Sequence, residues 1–233
     1  MKAVKQARAL ATRERVLAEA ARLFALKGYH DTRLEEVLGA AGVTTGAFFH
    51  HFRSKEDLGF AVLDRHMERR RQQLEQIEQQ LPRSAAAGPL EPVFRRLDAV
   101  QEMVRQREQD KGGCIIGNLS TQLSDTHDAF RERLAACFDE MAQEFQPHLD
   151  AALAHYRPRQ PVDTRALARY IVAILEGSIM LARTHRDGRL MASHFAYLKE
   201  HLRQALGPLV SRRPDEMVLD VFPATPPAQE TRP

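Results

Sequence analysis

Between Thr44 and Lys55 the chain gathers side chains suited to reading nucleic acid. Thr44, Thr45, Gly46 and Ala47 lead a short helix, and Phe49, His50, His51 and Lys55 follow. Hydroxyls and an imidazole can meet base edges, and a lysine can neutralise a phosphate. Such a helix, with Thr, Thr, Gly and Ala at its start, fits the major groove of duplex DNA. No comparable set for catalysis exists. The ten histidines are scattered, and none falls in a metal-binding pattern such as HExxH. His50 and His51 are adjacent, so on a helix they point to different sides and chelate one ion poorly; one is expected on the DNA and the other in packing. There is no Ser-His-Asp arrangement, and Gly112–Gly113 precede no Lys-Ser/Thr that would make a phosphate cradle. No catalytic residue, metal or cofactor is expected.

The elements that hold this helix are legible nearby. Thr32 can cap a helix with Glu35 and Glu36 in its first turn, where the dipole favours them. Leu34, Val37, Leu38 and Ala41 recur at helical spacing as one apolar face. Gly42 can leave that helix through a left-handed residue. Val43 then plugs the angle, and Thr44 caps a helix, Thr45 to His51, too short to stand alone. Thr32 and Arg33, at the start of the first helix, join the candidate DNA contacts. The alternative is an ordinary helical hairpin in a core.

The stretch TRERVLAEAARLFALKGYHDTRLEEVLGAAGVTTGAFFHHFRSKEDLGFAVL resembles the DNA-binding domain of the TetR family of bacterial transcriptional repressors. The resemblance runs without a gap over roughly Thr12–Leu63. It includes LFxxKGY at Leu23–Tyr29, then AGVTTGAFFHHF and SKEDL in register. Two departures stand out. The family usually carries tyrosine where Phe49 stands, and its hydroxyl often touches a phosphate. Thr45 replaces a frequent lysine. The resemblance implies a DNA operator as partner, a homodimer, and release by a small-molecule effector.

Composition agrees with an all-α protein: few aromatics, no tryptophan, and abundant Ala, Leu, Glu, Arg and Gln. The net charge of +3 is modest, but residues 1–15 hold Lys2, Lys5, Arg8, Arg13 and Arg15 against Glu14. That segment either follows a phosphate backbone or is a solvated terminus. With no secretory segment and no apolar run of membrane length, a cytoplasmic protein is expected, and its two cysteines are expected as thiols. Three units are expected. Residues 1–53 form the helix-turn-helix domain with its basic arm. Residues 54–210 form a regulatory and dimerisation domain that begins with a long connecting helix, Lys55 to about Gln80, capped by Ser54. Residues 211–233 form a disordered, proline-rich tail. Arg69, Arg70 and Arg71 are expected on a solvated face of the connecting helix, and residues 82–89 as a linker.

In the regulatory domain, Gly112 and Gly113 should break the chain before a helix from Cys114 to Leu123. Asp125 or Thr126 should cap the next, Pro147 should interrupt it, and Asp163 should open another that ends near Gly188. The last two helices carry wide apolar stripes. Either these face the domain's own core, or they form a four-helix bundle with a second copy. With the family resemblance, Leu167, Ile171, Ile174, Leu175, Ser178, Phe195, Leu198 and Leu202 become the expected dimer interface. Phe94, Leu97, Cys114, Asn118, Gln122, Phe138, Met141 and Glu176 are the expected effector contacts: apolar residues with a few orienting polar groups. GCIIGNLSTQLSD further resembles a segment of the subgroup that responds to electrophiles and acrylate. Cys114 is therefore either a sensing thiol, favoured by the helix start and by Lys111, or a small core residue. Three functions are in contention: a ligand-responsive repressor, a fold-retaining interaction protein without operator binding, and an all-α enzyme.

Overall fold

The computed structural model of the chain describes residues 2–106, 113–156, 158 and 160–207. Ten α-helices and no strand occur among these residues. Helices α1 (Lys2–Lys27), α2 (Leu34–Ala41) and α3 (Thr45–Phe49) make the N-terminal unit. Helix α4 (Lys55–Gln80) leads out of it to a 3-10 turn (Ala85–Leu90) and α5 (Glu91–Gln106). Then follow α6 (Ile115–Leu123), α7 (Asp128–Gln143), α8 (Gln146–His155), α9 (Thr164–His185) and α10 (Arg189–Leu206). The expected tail, 211–233, lies outside the described residues, as do Lys111 and Gly112. No helix among the described residues is long and apolar enough to cross a membrane.

Local rules account for most helix boundaries. The Ser54 hydroxyl accepts the Asp57 N–H at 3.0 Å, and α4 begins one residue later with Glu56 and Asp57 in its first turn. The Asp163 carboxylate accepts N–H bonds from Arg165 and Ala166 at 2.9 and 3.0 Å and opens α9. Pro147 sits in the first turn of α8, where a missing N–H costs nothing, and separates it from α7. Other boundaries depart from expectation. His127, not Asp125 or Thr126, caps α7: its Nδ1 accepts the Phe130 N–H at 3.4 Å. Arg186, left-handed at φ 53°, closes α9, and Gly188 instead precedes α10. The stretch read as a linker forms the 3-10 turn and buries Leu90. The basic N-terminal segment belongs to α1, which runs as one helix from Lys2.

Helix α1 packs against α2, α4 and α6; α4 packs against α5; α7 packs against α6 and α9; and α9 packs against α10. This arrangement sorts the apolar stripes. Ile171, Leu175, Ser178, Phe195, Leu198 and Leu202 are buried in the protomer's own core, so these expected interface residues face inward. Leu167 and Ile174 are half-buried against the same core. The outer faces of α9 and α10 carry Tyr170, Met180, Leu181 and Tyr197, which are 42, 63, 40 and 48 % exposed. The Arg69–Arg71 run is also not uniformly solvated. Arg70 is 3 % exposed and pairs with Glu144 at 2.5 Å, whereas Arg69 lies near Glu14 and Arg71 near Glu68.

Candidate DNA-binding surface and regulatory core

The turn between α2 and α3 is built as its sequence requires. Gly42 is left-handed at φ 61°, ψ 44°; its N–H reaches Gly39 O at 3.2 Å, and the Val43 N–H reaches Leu38 O at 3.0 Å. The Thr44 hydroxyl accepts the Ala47 N–H at 3.3 Å and starts α3. Phe48 is fully buried beneath α3, 5.4 Å from the Phe52 ring. It fastens one side of the short helix to the core and leaves the other side to solvent. Thr44, Thr45, Gly46, Phe49 and His50 are exposed on that side, with Ala47 and His51 half-buried. Phe49 is 54 % exposed, a large outlay of apolar surface for a residue with no polar atom in its side chain.

Several expectations here need correction. Thr32 is not the cap of α2. It is fully buried, and its hydroxyl donates to Gly28 O at 2.7 Å, so it has no surface to offer DNA. Arg33 takes the cap position, exposed, and its backbone N–H is accepted by Glu36 at 3.1 Å. Helix α3 ends at Phe49, so His50 and His51 fall in a turn, and their rings meet edge to face 5.3 Å apart rather than diverging. Burial pulls the His51 pKa down, and neighbouring His50 and Arg13 add to the effect. The Lys55 ammonium lies 4.3 Å over the Tyr29 ring, half-buried, with burial lowering its pKa and Asp31 opposing.

Tyr29 is the centre of a junction that sequence reasoning missed. Its ring lies 5.3 Å from Phe24 and 4.9 Å from Phe130 of α7, and Phe130 in turn stacks on Phe60 of α4 at 4.5 Å. Burial pushes the Tyr29 phenol up to about 12. Two glycines let the helices meet this closely. A Cβ on Gly59 would stand 2.6 Å from the Phe130 ring, and one on Gly28, at φ +87°, would stand 2.4 Å from Gln122 Oε1. That oxygen accepts the Tyr29 N–H at 2.9 Å, and the Asn118 amide donates to Ala25 O at 3.3 Å. Ala25 belongs to the last turn of α1, whose carbonyls lack helical partners. Gln122 and Asn118, expected to hold an effector, therefore tie α6 to the end of α1. The LFxxKGY motif was visible in the sequence; nothing local announced its partners 93 residues away.

The other expected effector contacts also find partners. Phe94, Leu97 and Met141 are buried core residues, and Phe138 is half-buried against them. Arg203 covers the Phe94 ring at 4.7 Å. Two surface cavities, of about 320 and about 220 Å³, are lined by Asp139, Ala142, Gln143, Gln146, Arg165 and Arg169, and by Met67, Arg71, Glu140, Gln143 and Glu144. Neither includes an expected effector residue. Cys114 and Glu176 do come together at the start of α6: a Cβ on Gly117 would stand 2.6 Å from Glu176 Oε2 and 3.9 Å from the Cys114 Cβ. Burial pushes the Cys114 thiol up to about 12, and the Glu176 charge adds to this, outweighing the backbone N–H groups that favour a thiolate. Glu176 is itself raised by burial, against the pull of the Cys114 thiol and of Arg70. Of the two readings of Cys114, the raised thiol pKa favours a small core residue over an activated thiolate. Cys137 is fully buried, and burial raises it to about 11.

Residues 16–62 match the family described as bacterial regulatory proteins, tetR family, and residues 89–198 match the tetracyclin repressor-like C-terminal domain. The transcriptional repressor NemR of Escherichia coli K12 is 28 % identical over 194 residues, covering 81 % of this chain and 92 % of NemR. The repressor DhaR of Mycobacterium sp. strain GP1 is 25 % identical over 175 residues, covering 75 % of this chain and 84 % of DhaR. A TetR transcriptional regulator from Chloroflexus aurantiacus superimposes with a TM-score of 0.73 at 29 % identity, covering 85 % of this chain and 98 % of that one. Each of these relatives is a transcriptional repressor or regulator by name. With both halves of the chain matched and the helix-turn-helix built on Gly42 and Thr44, the chain belongs to the TetR family of bacterial transcriptional regulators.

Proposed function

We propose that this protein is a dimeric repressor that binds a near-palindromic operator in the cytoplasm and is released from it by a small electrophile, such as an α,β-unsaturated acid. The observation that carries the reading is the tie between α6 and the DNA-binding unit through Gln122, Asn118 and Tyr29. A shift of α6 on effector binding would act directly on the end of α1 and so on the position of α3. An effector achieves this only by binding one arrangement more tightly than the other. Thr45, Gly46 and His50 read base edges in the major groove, with Arg33 and Thr44 on the backbone. Two copies meet through the outer faces of α9 and α10, where Tyr170, Met180, Leu181 and Tyr197 would be covered. The two-fold axis sets the spacing of the two recognition helices. The repressor names of NemR and DhaR support repression as the direction of control. A gel shift on DNA upstream of the protein's own gene, with and without an unsaturated acid, tests the reading. Binding that the acid reverses is expected; binding that persists at saturating acid removes the electrophile.

A second reading is an interaction protein that has kept the fold without operator binding. Phe49 favours it: an apolar ring 54 % exposed on the reading face suits a protein partner. Failure to shift any upstream fragment at low salt would select it.

A further inference from the structure

We propose that Phe49 sets the base preference of the operator contact, its ring packed on the 5-methyl group of one thymine in each half-site; the inference rests on the operator reading above. Helix α3 has one open side. At helical spacing Thr45 and Gly46 lie on the same side as Phe49, and all three are exposed. A Cβ on Gly46 would meet nothing within 4 Å, so nothing on the protein stands beside the ring there. Phe49 is 54 % exposed, yet its ring is braced. The centroid lies 5.2 Å from that of Phe48, edge to face at 77°, and Phe48 is fully buried. An aromatic side chain turns about two torsions only, and one held in this way loses little freedom when a partner covers it.

The chemistry of the major groove then selects the base. Every base edge there offers hydrogen-bonding groups, and thymine alone adds a methyl. A ring with no polar atom gives nothing to the acceptors of guanine or adenine and would strip them of water. Cytosine offers an N–H donor and no methyl. Thymine is the base whose contact with the ring takes apolar surface out of water on both sides. Thr45 is uncharged, so no long cation on this side of α3 competes with the ring for the groove. The flanks favour a duplex over a protein as the occupant. Arg33 before α2 and Arg53 after α3 are both exposed, the Arg53 side chain at 91 %. Cations on either side of an apolar reading surface suit a groove lined by phosphates.

The test uses the full-length protein. An operator is selected from duplexes randomised over about three helical turns, and affinity is read by gel shift at one fixed salt concentration. Each thymine is then replaced in turn by deoxyuridine, which keeps the base pair and loses only the methyl. One thymine per half-site should respond, by about 4-fold alone and about 15-fold when both are replaced, the worth of one buried carbon at each. In Phe49→Ala the same replacement should change affinity by less than about 2-fold, and selection with this variant should no longer demand thymine there. In wild type, cytosine at that position should bind weakly and 5-methylcytosine should regain part of the loss. Circular dichroism checks the fold; should the alanine variant not fold, Phe49→Gln keeps the bulk and should likewise lose the deoxyuridine penalty. A penalty equal in wild type and variant puts another group on the methyl. A uniform loss with base preference unchanged puts the ring on the sugar-phosphate backbone, and unchanged affinity leaves it to a protein partner. Each of these overturns the inference while operator binding stands. A pool from which no sequence is enriched removes the operator reading itself, and the inference with it.

Discussion

Replacing Gln122 with leucine removes the acceptor of the Tyr29 N–H while keeping a side chain of similar bulk against Gly28. The bond is 2.9 Å long and partly buried. A donor left facing an apolar side chain costs about 1–3 kcal/mol. Because water can reach part of this junction, the expected loss lies in the lower half of that range, about 1–2 kcal/mol. For a chain of this size each kcal/mol lowers the melting temperature by about 2–4 °C. Urea unfolding followed by circular dichroism, at one fixed protomer concentration, measures it. Hydrogen exchange at the Tyr29 amide should quicken in the variant. The functional outcome is the more telling one. Operator affinity should stay near that of wild type, while effector-induced release is weakened, because α6 then holds the end of α1 through Asn118 alone. An unchanged urea midpoint together with unchanged exchange at Tyr29 would refute the reasoning outright. Asn118→Leu should behave alike but more mildly, since its 3.3 Å bond serves a carbonyl at a helix end that water can also serve.

Thr45→Ala and His50→Ala should each weaken operator binding, by about 1–3 kcal/mol of discrimination where a base contact is lost, with helix content unchanged; full affinity in the double variant would sink the recognition surface. Met180→Glu with Tyr197→Glu should yield folded monomers in sedimentation that no longer hold the operator, whereas Leu175→Glu should unfold the protomer by burying a charge; a dimer surviving the first pair would place the interface elsewhere. Stability should fall as pH rises past about 9, because the unfolded thiols release protons near there while folded Cys114 and Cys137 keep theirs to about 12 and about 11. The unfolded state then binds fewer protons, so the slope is negative. Urea midpoints across this range in reductant should flatten in the Cys114→Ser, Cys137→Ser double variant, and an equal slope would contradict the shifts.

What the sequence disclosed was governed by local chemistry. Ser54, Asp163, Thr44 and Gly42 act within three or four residues of themselves, and each does in the fold what its type and neighbours require. The failures share a different cause. Arg70 sits in a run of three arginines that is polar by pattern, yet only the packing of α7 against α4 decides that Glu144 buries it. The stripes of α9 and α10 are apolar enough for two partners, and the sequence does not say which face the protomer keeps. Phe195 and Leu202 turned inward, leaving Tyr197 and Met180 outside. Thr32 looked like a cap because it precedes a helix, but its hydroxyl was taken by Gly28 O one turn back. Asn118 and Gln122 read as effector contacts from their place in an apolar frame, but their amides meet Ala25 O at the end of α1 and the Tyr29 N–H just beyond it.

Helix α4 carries Lys55 at one end and Arg70 fifteen residues further on. At 1.5 Å per residue these stand about 22 Å apart along the rod. In physiological salt a change of charge fades over about 8 Å, so neutralising or displacing a group near Arg70 would be electrically silent at the other end. Information can cross that span only as displacement of a stiff body. The close glycine contacts at Gly28 and Gly59 then matter as an absence of backlash. A lever with slack at its bearing would absorb an ångström of travel before anything moved, and this bearing has no slack to absorb it.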